Sequence, residues 1–119
     1  MEWLRISTPT LYMRVSTDDI VCIHANGNYS DLYLFNGTSY LLTFQLHFFD
    51  EICRKLQNNV FLRVGKSLIV NRNYIFKIDL QSQDLILNGQ NMLKEVRTKA
   101  SKEALKELKN LMDQEGGKK

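Results

Sequence analysis

Apolar and polar residues alternate through most of this chain, the period-two signature of half-buried strands, and turn-forming residues interrupt the alternation every few positions. The pattern predicts strands at Trp3 to Ser7, Leu11 to Val15, Ile20 to Ala25, Tyr29 to Phe35, Ser39 to Leu42, Val60 to Val64, Leu68 to Val70, Tyr74 to Asp79, Asp84 to Leu87 and Met92 to Val96. Three Asn-Gly dipeptides, Asn26-Gly27, Asn36-Gly37 and Asn88-Gly89, lie between these segments. Asn-Gly tolerates the positive φ angles of tight hairpin turns, so antiparallel hairpins are expected. So many strands in 119 residues predict short sheets packed face to face rather than one flat sheet.

Two segments depart from this period. Phe44 to Leu56 places Phe49, Ile52 and Leu56 at helical spacing, with Thr43 as the expected cap, and reads as a helix lying on a sheet. Ser101 to Met112 carries Leu105, Leu108, Leu111 and Met112 on one stripe, with Ser101 as cap and Lys102, Glu103, Lys106 and Glu107 as surface charges. Residues from Gln114 onward, including Gly116 and Gly117, read as a flexible tail, which gives one domain over 1–113 followed by a tail over 114–119.

Hydrophobic content of 44% and charged content of 24% are those of an ordinary globular protein and argue against wholesale disorder. Cys22 and Cys53 form no CxxC pair, so neither a zinc site nor a disulfide framework is indicated, and no cofactor is implied. The amino terminus lacks the apolar stretch of a signal peptide, and no apolar run approaches the roughly 20 residues of a membrane span. The expected location is therefore the cytoplasm.

Net charge is only +3, but its distribution is informative. From Arg54 to Lys77 the cations Arg54, Lys55, Arg63, Lys66, Arg72 and Lys77 occur with no Asp or Glu between them. Within the run Phe61 to Asn71, apolar residues anchor the backbone, while Arg63, Lys66 and Asn71 carry more donors than a core could satisfy. Such donors face water or a partner, and an anionic polymer is the simplest partner for a cationic strip. Gly65-Lys66-Ser67 is not a phosphate loop, because the pattern requires glycine where Val60 stands and a helix where Leu68 to Val70 continue as strand. A tight turn with Lys66 at its tip is the expected use of that glycine.

Catalytic chemistry finds little support. Cys22 and His24 share a strand face, but no oriented base or oxyanion site accompanies them. The acids form no defensible acid/base couple. The loop Asn26 to Ser30 is denser in hydrogen-bonding side chains than a turn requires; it reads either as a solvated hairpin or as a recognition loop in which Asn28, Tyr29 and Ser30 reach bases and phosphates. A third basic group, Lys94, Arg97, Lys99 and Lys102, runs into the last helix and reads either as a phosphate site favoured by that helix's amino terminus or as a plain soluble surface.

Taken together, DDIVCIHANGNYSDLYLFNG (Asp18 to Gly37), the helix opening with Thr43, FLRVGKSLIVNRNYIFKID (Phe61 to Asp79) and a closing strand followed by LKELKNL (Leu105 to Leu111) resemble the LytTR domain, the DNA-binding module of many bacterial response regulators. The similarity covers nearly the whole chain after about Leu11, and RVGKSLIVN is its most specific part. The resemblance implies a mainly β fold of about ten short strands in three small antiparallel sheets, elongated and sandwich-like, with one helix packed on a sheet and a C-terminal helix. It implies a transcription regulator that reads double-stranded DNA through loops in successive major grooves, with contacts across the minor groove between them.

Carried over by position, the first reading loop is Asn28, Tyr29 and Ser30, and the central contact is Lys66 with Ser67. Arg63 and Arg72 join the candidate DNA contacts, while Asn71 and Arg72 serve either the fold or the phosphate backbone. In the third region the chain departs from the family pattern, and Arg97, Lys99 and Lys102 are its candidates. Paired direct repeats are the expected form of the site, with self-association on DNA left open. A receiver domain of roughly a hundred residues or more does not fit beside this unit, so the expected signal source is a separate protein, or the chain is an excised output half of a two-component regulator. The alternative is a protein-interaction module using exposed loops and edge strands, without catalysis.

Overall fold

Strand Ile20–Asn26 (β3) organises the molecule, because its sequence IVCIHAN is apolar on both faces and both of its edges are paired. The computed structural model describes residues 2–116. In chain order the elements are β1 (Trp3–Ser7), β2 (Tyr12–Ser16), β3, β4 (Tyr29–Leu34), β5 (Ser39–Leu42), α1 (Leu46–Arg54), β6 (Phe61–Val64), β7 (Leu68–Asn71), β8 (Ile75–Asp79), β9 (Asp84–Leu87), β10 (Val96–Lys99) and α2 (Lys102–Gly116). The strands form three antiparallel sheets: a five-stranded one in the order β5-β4-β3-β7-β6, a pair β1-β2, and a three-stranded one in the order β10-β9-β8.

The five-stranded sheet has a core on each face. On one side Ile20, Ile23, Leu32, Phe61 and Ile69 pack with Leu4 and Ile6 of β1 and with Leu46, Phe49 and Cys53 of α1. On the other, Val21, Cys22, Val64, Leu68 and Val70 pack with Leu85 and Leu87 of β9 and with Ala104, Leu105 and Leu108 of α2. The three-layer arrangement is elongated, 47 × 31 × 28 Å. It matches the expected mainly β, sandwich-like architecture.

Several boundaries differ from those read in the sequence, each for an identifiable reason. The last strand is Val96–Lys99 rather than Met92 to Val96. On this edge strand only Val96 and Thr98 turn partly inward, whereas Leu93 is 95% exposed in the preceding loop. Helix α1 is capped at Gln45, not Thr43, and without a side-chain cap bond. Its start is fixed by aromatic packing: the Phe44 ring stacks on Phe48 at 4.4 Å and meets Phe49 edge-on at 6.2 Å, a hydrophobic staple across the first turn. Gly27 and Gly37 adopt the expected positive φ. Gly89 does not; a Cβ there would lie 2.9 Å from the Tyr74 ring, so glycine serves close approach, and the loop it opens is long. The expected tail is helical through Gly116, where Glu115 pairs with Arg72, and residues 117–119 lie outside the described region.

Asn71 belongs to the fold. It is 1% exposed, its amide donates to the carbonyls of Thr17 at 3.1 Å and Ile20 at 2.9 Å, and its Oδ1 accepts from Asn73 N–H at 2.9 Å. Asn71→Ala would remove all three bonds and take from the Ile20 carbonyl its side-chain donor in the interior, while the Thr17 carbonyl would keep the Ile20 N–H. The expected loss is about 2–4 kcal/mol in urea denaturation, and a loss below about 1 kcal/mol would contradict this role.

Candidate functional site

Antiparallel register decides which turns share an end of the molecule. His24 opposes Leu68, so the end of β3 lies beside the start of β7, and Ala25 N–H donates to the Ser67 carbonyl at 2.8 Å. The β3–β4 turn (Gly27, Asn28) and the β6–β7 turn (Gly65, Lys66, Ser67) therefore leave the same end of the five-stranded sheet. Ser30 opposes Leu42, which brings the segment leading into α1 to that end as well. A cleft of about 500 Å³ then joins Gly65, Lys66 and Ser67 to Lys99, Ala100 and Ser101 at the β10–α2 junction. The β6–β7 turn lies between the other two, the order in which the sequence resemblance arranges the contact regions.

Each turn is built by its local sequence. Gly27 and Gly65 have φ of 63° and 64°, where a side chain is strained, and the Cβ position of Gly65 also lies 3.4 Å from Ala104 Cβ. The β8–β9 connection uses Asp79 instead of glycine: its Oδ1 accepts from Gln81 and Ser82 N–H, and these bonds, Ser82's foremost, hold its carboxyl below the ordinary range. Ser101 Oγ accepts from Ala104 N–H at 3.1 Å, capping α2 as expected.

The candidates divide into exposed and engaged groups. Asn28, Tyr29, Lys66, Ser67 and Lys102 are exposed, with Tyr29 at 45%. Lys66 is in no ion pair among the described residues. Ser30, expected in the reading loop, is instead fully buried, and its Oγ donates to the Phe44 carbonyl at 2.8 Å. Alternation along β4 turns Tyr29 outward and therefore Ser30 inward.

The cationic strip also changes character on folding, because acids from other elements pack against it. Arg63 NH1 meets Asp50 at 3.1 Å, while its Nε and NH2 donate to the carbonyls of Gly65 and Lys66, each at 3.0 Å. Arg54 shares Asp50, and Arg72 pairs with Glu115 at the end of α2. Arg63 and Arg72 are thus occupied within the fold, unlike Lys66. Glu103 and Glu107 line the cleft beside Lys66, so this end is mixed in charge rather than uniformly positive.

At the third region Arg97 and Lys99 project from β10 toward Asp84. Lys99 Nζ lies 2.9 Å from Asp84 Oδ1 and donates to the Ser82 carbonyl at 3.1 Å; Arg97 reaches Asp84 Oδ2 at 3.4 Å and Glu95 at 3.1 Å. Lys99 first, then Ser82 and Arg97, hold the Asp84 carboxyl below its ordinary value. Sequence reading missed Asp84, Asp50 and Gln45, whose Nε2 donates to Asn28 Oδ1 at 3.3 Å. The register Lys99↔Asp84 would have identified the first of them, but it requires the correct β10 boundaries.

Other chemistries find no arrangement here. Cys22 and Cys53 are buried free thiols, each pushed up to about 12 chiefly by desolvation, which makes both poor nucleophiles. No cluster of three or more metal-ligating side chains occurs among the described residues, and no helix there is long and apolar enough to cross a membrane.

Comparison with known proteins agrees with this fold. The family model for the LytTr DNA-binding domain matches residues 11–113. Among solved structures, the fold is similar to the LytTr DNA-binding domain of a Bacillus cereus protein described as a methyl-accepting/DNA response regulator, with a TM-score of 0.63 at 18% identity, covering 94% of this chain and 97% of that one. No curated protein matches the chain.

Asp84→Asn should release Lys99 from its ion pair and leave Arg97 with Glu95 alone, so the variant should leave a heparin column at higher salt than the parent; unchanged elution would mean that these cations do not face a polyanion. Because the folded-state pKa of Asp84 is lowered, its ion pairs stabilise the fold fully above the unfolded value of about 3.9 and are lost as pH falls through the lowered pKa. The acid limb of the stability profile should therefore be shallower in Asp84→Asn.

Proposed function

Given that this chain belongs to the LytTr DNA-binding domain family, we propose that it binds double-stranded DNA sequence-specifically as a bacterial transcription regulator or as the output domain of a two-component response regulator. DNA binding in transcription regulation follows from the family. Sequence specificity, the signalling context and a site of paired direct repeats are the finer parts of the reading. The observation that carries it is the gathering of the Asn28–Tyr29, Lys66–Ser67 and Lys99–Lys102 segments at one end of an elongated β scaffold.

The mechanism is binding without turnover. Lys66 at the central turn neutralises phosphate and releases counterions, and Lys102 at the start of α2 adds a cation where the helix dipole already favours an anion. Arg97 and Lys99 contribute once phosphate competes with Asp84 for them. Asn28 and Tyr29 sit on a rigid hairpin and test base edges: an amide offers a donor and an acceptor, and a phenol offers an apolar ring with a polar tip. Ser30 supports that hairpin from inside.

A protein-interaction module is the competing reading, and one observation favours it. The edge strand β5 leaves Tyr40 47% and Leu41 54% exposed, which suits strand addition by a partner. Such binding would be insensitive to competition by random duplex DNA.

Lys66→Ala should weaken binding to all duplexes and reduce the slope of log affinity against log salt by about 0.9, measured by fluorescence anisotropy; unchanged affinity and slope would remove Lys66 from the interface. Asn28→Ala or Tyr29→Ala should instead relax sequence preference, costing about 1–3 kcal/mol at the affected base pair in competition among sequences selected from a randomised duplex pool. A uniform loss on every sequence would contradict base reading.

A further inference from the structure

Helix α1 contacts one of the turns assigned above to DNA directly and reaches the other through Arg63 of β6, at two points along its length. At its amino end, the cap residue Gln45 donates to Asn28 Oδ1 at 3.3 Å, joining the helix to the β3–β4 turn. One turn further on, Asp50 Oδ2 accepts from Arg63 NH1 at 3.1 Å. That guanidinium in turn donates through Nε to the Gly65 carbonyl and through NH2 to the Lys66 carbonyl, each at 3.0 Å. Phe49, fully buried, fastens the helix to the sheet between these two contacts.

We propose that Asp50 is a positioning residue for DNA binding: acting through Arg63, it fixes the backbone of the Gly65–Ser67 turn so that Lys66 is presented at a set distance from the Asn28–Tyr29 hairpin. The inference rests on the DNA-binding role assigned to Lys66. Its physical basis is the shape of the guanidinium. A planar fork with five donors satisfies a carboxylate and two carbonyls at once, which an ammonium cannot do in the same geometry. Among the described residues the Lys66 ammonium has no ion-pair partner, so its placement is inherited from the turn. Asp50 is 16% exposed and Arg63 32% exposed in their side chains, so the pair is sheltered from solvent competition more than a surface ion pair would be.

Simple electrostatics predicts the opposite sign, which makes the idea testable. Removing Asp50 deletes a negative charge and releases two cations, Arg54 and Arg63, near a polyanion. If Asp50 had no positioning role, Asp50→Ala would bind DNA as well as the parent or better. Under the proposal it binds about three- to ten-fold more weakly, the scale of one displaced cation–phosphate contact.

The experiment measures binding of a fluorescein-labelled mixed-sequence duplex by the parent and by Asp50→Ala, Arg63→Lys, Lys66→Ala and the Asp50→Ala/Lys66→Ala double variant, with a thermal melt of each. Arg63→Lys keeps the net charge and removes only the fork, so it tests the same brace if Asp50→Ala unfolds. The expected result is weakened binding in Asp50→Ala and Arg63→Lys with folded melts, and no further loss from Asp50→Ala once Lys66 is gone. Normal or tighter binding by Asp50→Ala and Arg63→Lys, with Lys66→Ala weakened, would overturn the positioning role and leave the Lys66 reading intact. Full affinity in Lys66→Ala would overturn both.

Discussion

Everything at the functional end depends on β3 being held in one register by two neighbours. A slip of one residue against β7 would move Ile23 and Ile69 out of one core and Cys22 and Val70 out of the other, since the two faces of this sheet alternate between separate hydrophobic clusters. Both faces penalise the slip, so the register is specified doubly. Its consequence is positional: the turns that follow β3 and β6 emerge side by side, and the backbone bond from Ala25 to Ser67 fixes their spacing. Burial energy far from the surface thus determines where exposed side chains stand.

Charge is managed by the same scaffold. The sequence places its cations in a run without acids, but the fold delivers Asp50, Asp84 and Glu115 from other elements onto Arg63, Arg97, Lys99 and Arg72. Lys66, at the central turn, has no such acid partner among the described residues. Under the proposed function, phosphate would have to displace a carboxylate to recruit Arg97 or Lys99. The hairpin carrying Asn28 and Tyr29, to which the proposed function assigns base reading, has its conformation set by Gly27 and by the buried Ser30.

Much of the fold was legible in the residues. Alternation and turn chemistry located β1, β5 and β9 with their observed bounds and most other strands within a residue, because half-buried strands carry their burial pattern in every second side chain. The helix stripes and the Ser101 cap were equally plain. The end strand was not: VRTK has little apolar content, and the neighbouring Met92 and Leu93 drew the assignment away from it. For the candidate site, the positions of the turns could be read, but not how their side chains are paired. That the Ser30 hydroxyl is taken up by the Phe44 carbonyl and that Arg63 is held by Asp50 follow from tertiary partners 14 and 13 positions away, which no local pattern encodes.

The central claim is that one end of this molecule meets DNA. Backbone amide shifts recorded while duplex DNA is titrated into isotopically labelled protein test it most directly. The account predicts perturbations concentrated in residues 26–30, 65–67 and 97–104, with the loop 88–95 at the other end and the β1–β2 pair unchanged. Perturbations centred on that far loop or on β1–β2, with the three turns silent, would contradict it.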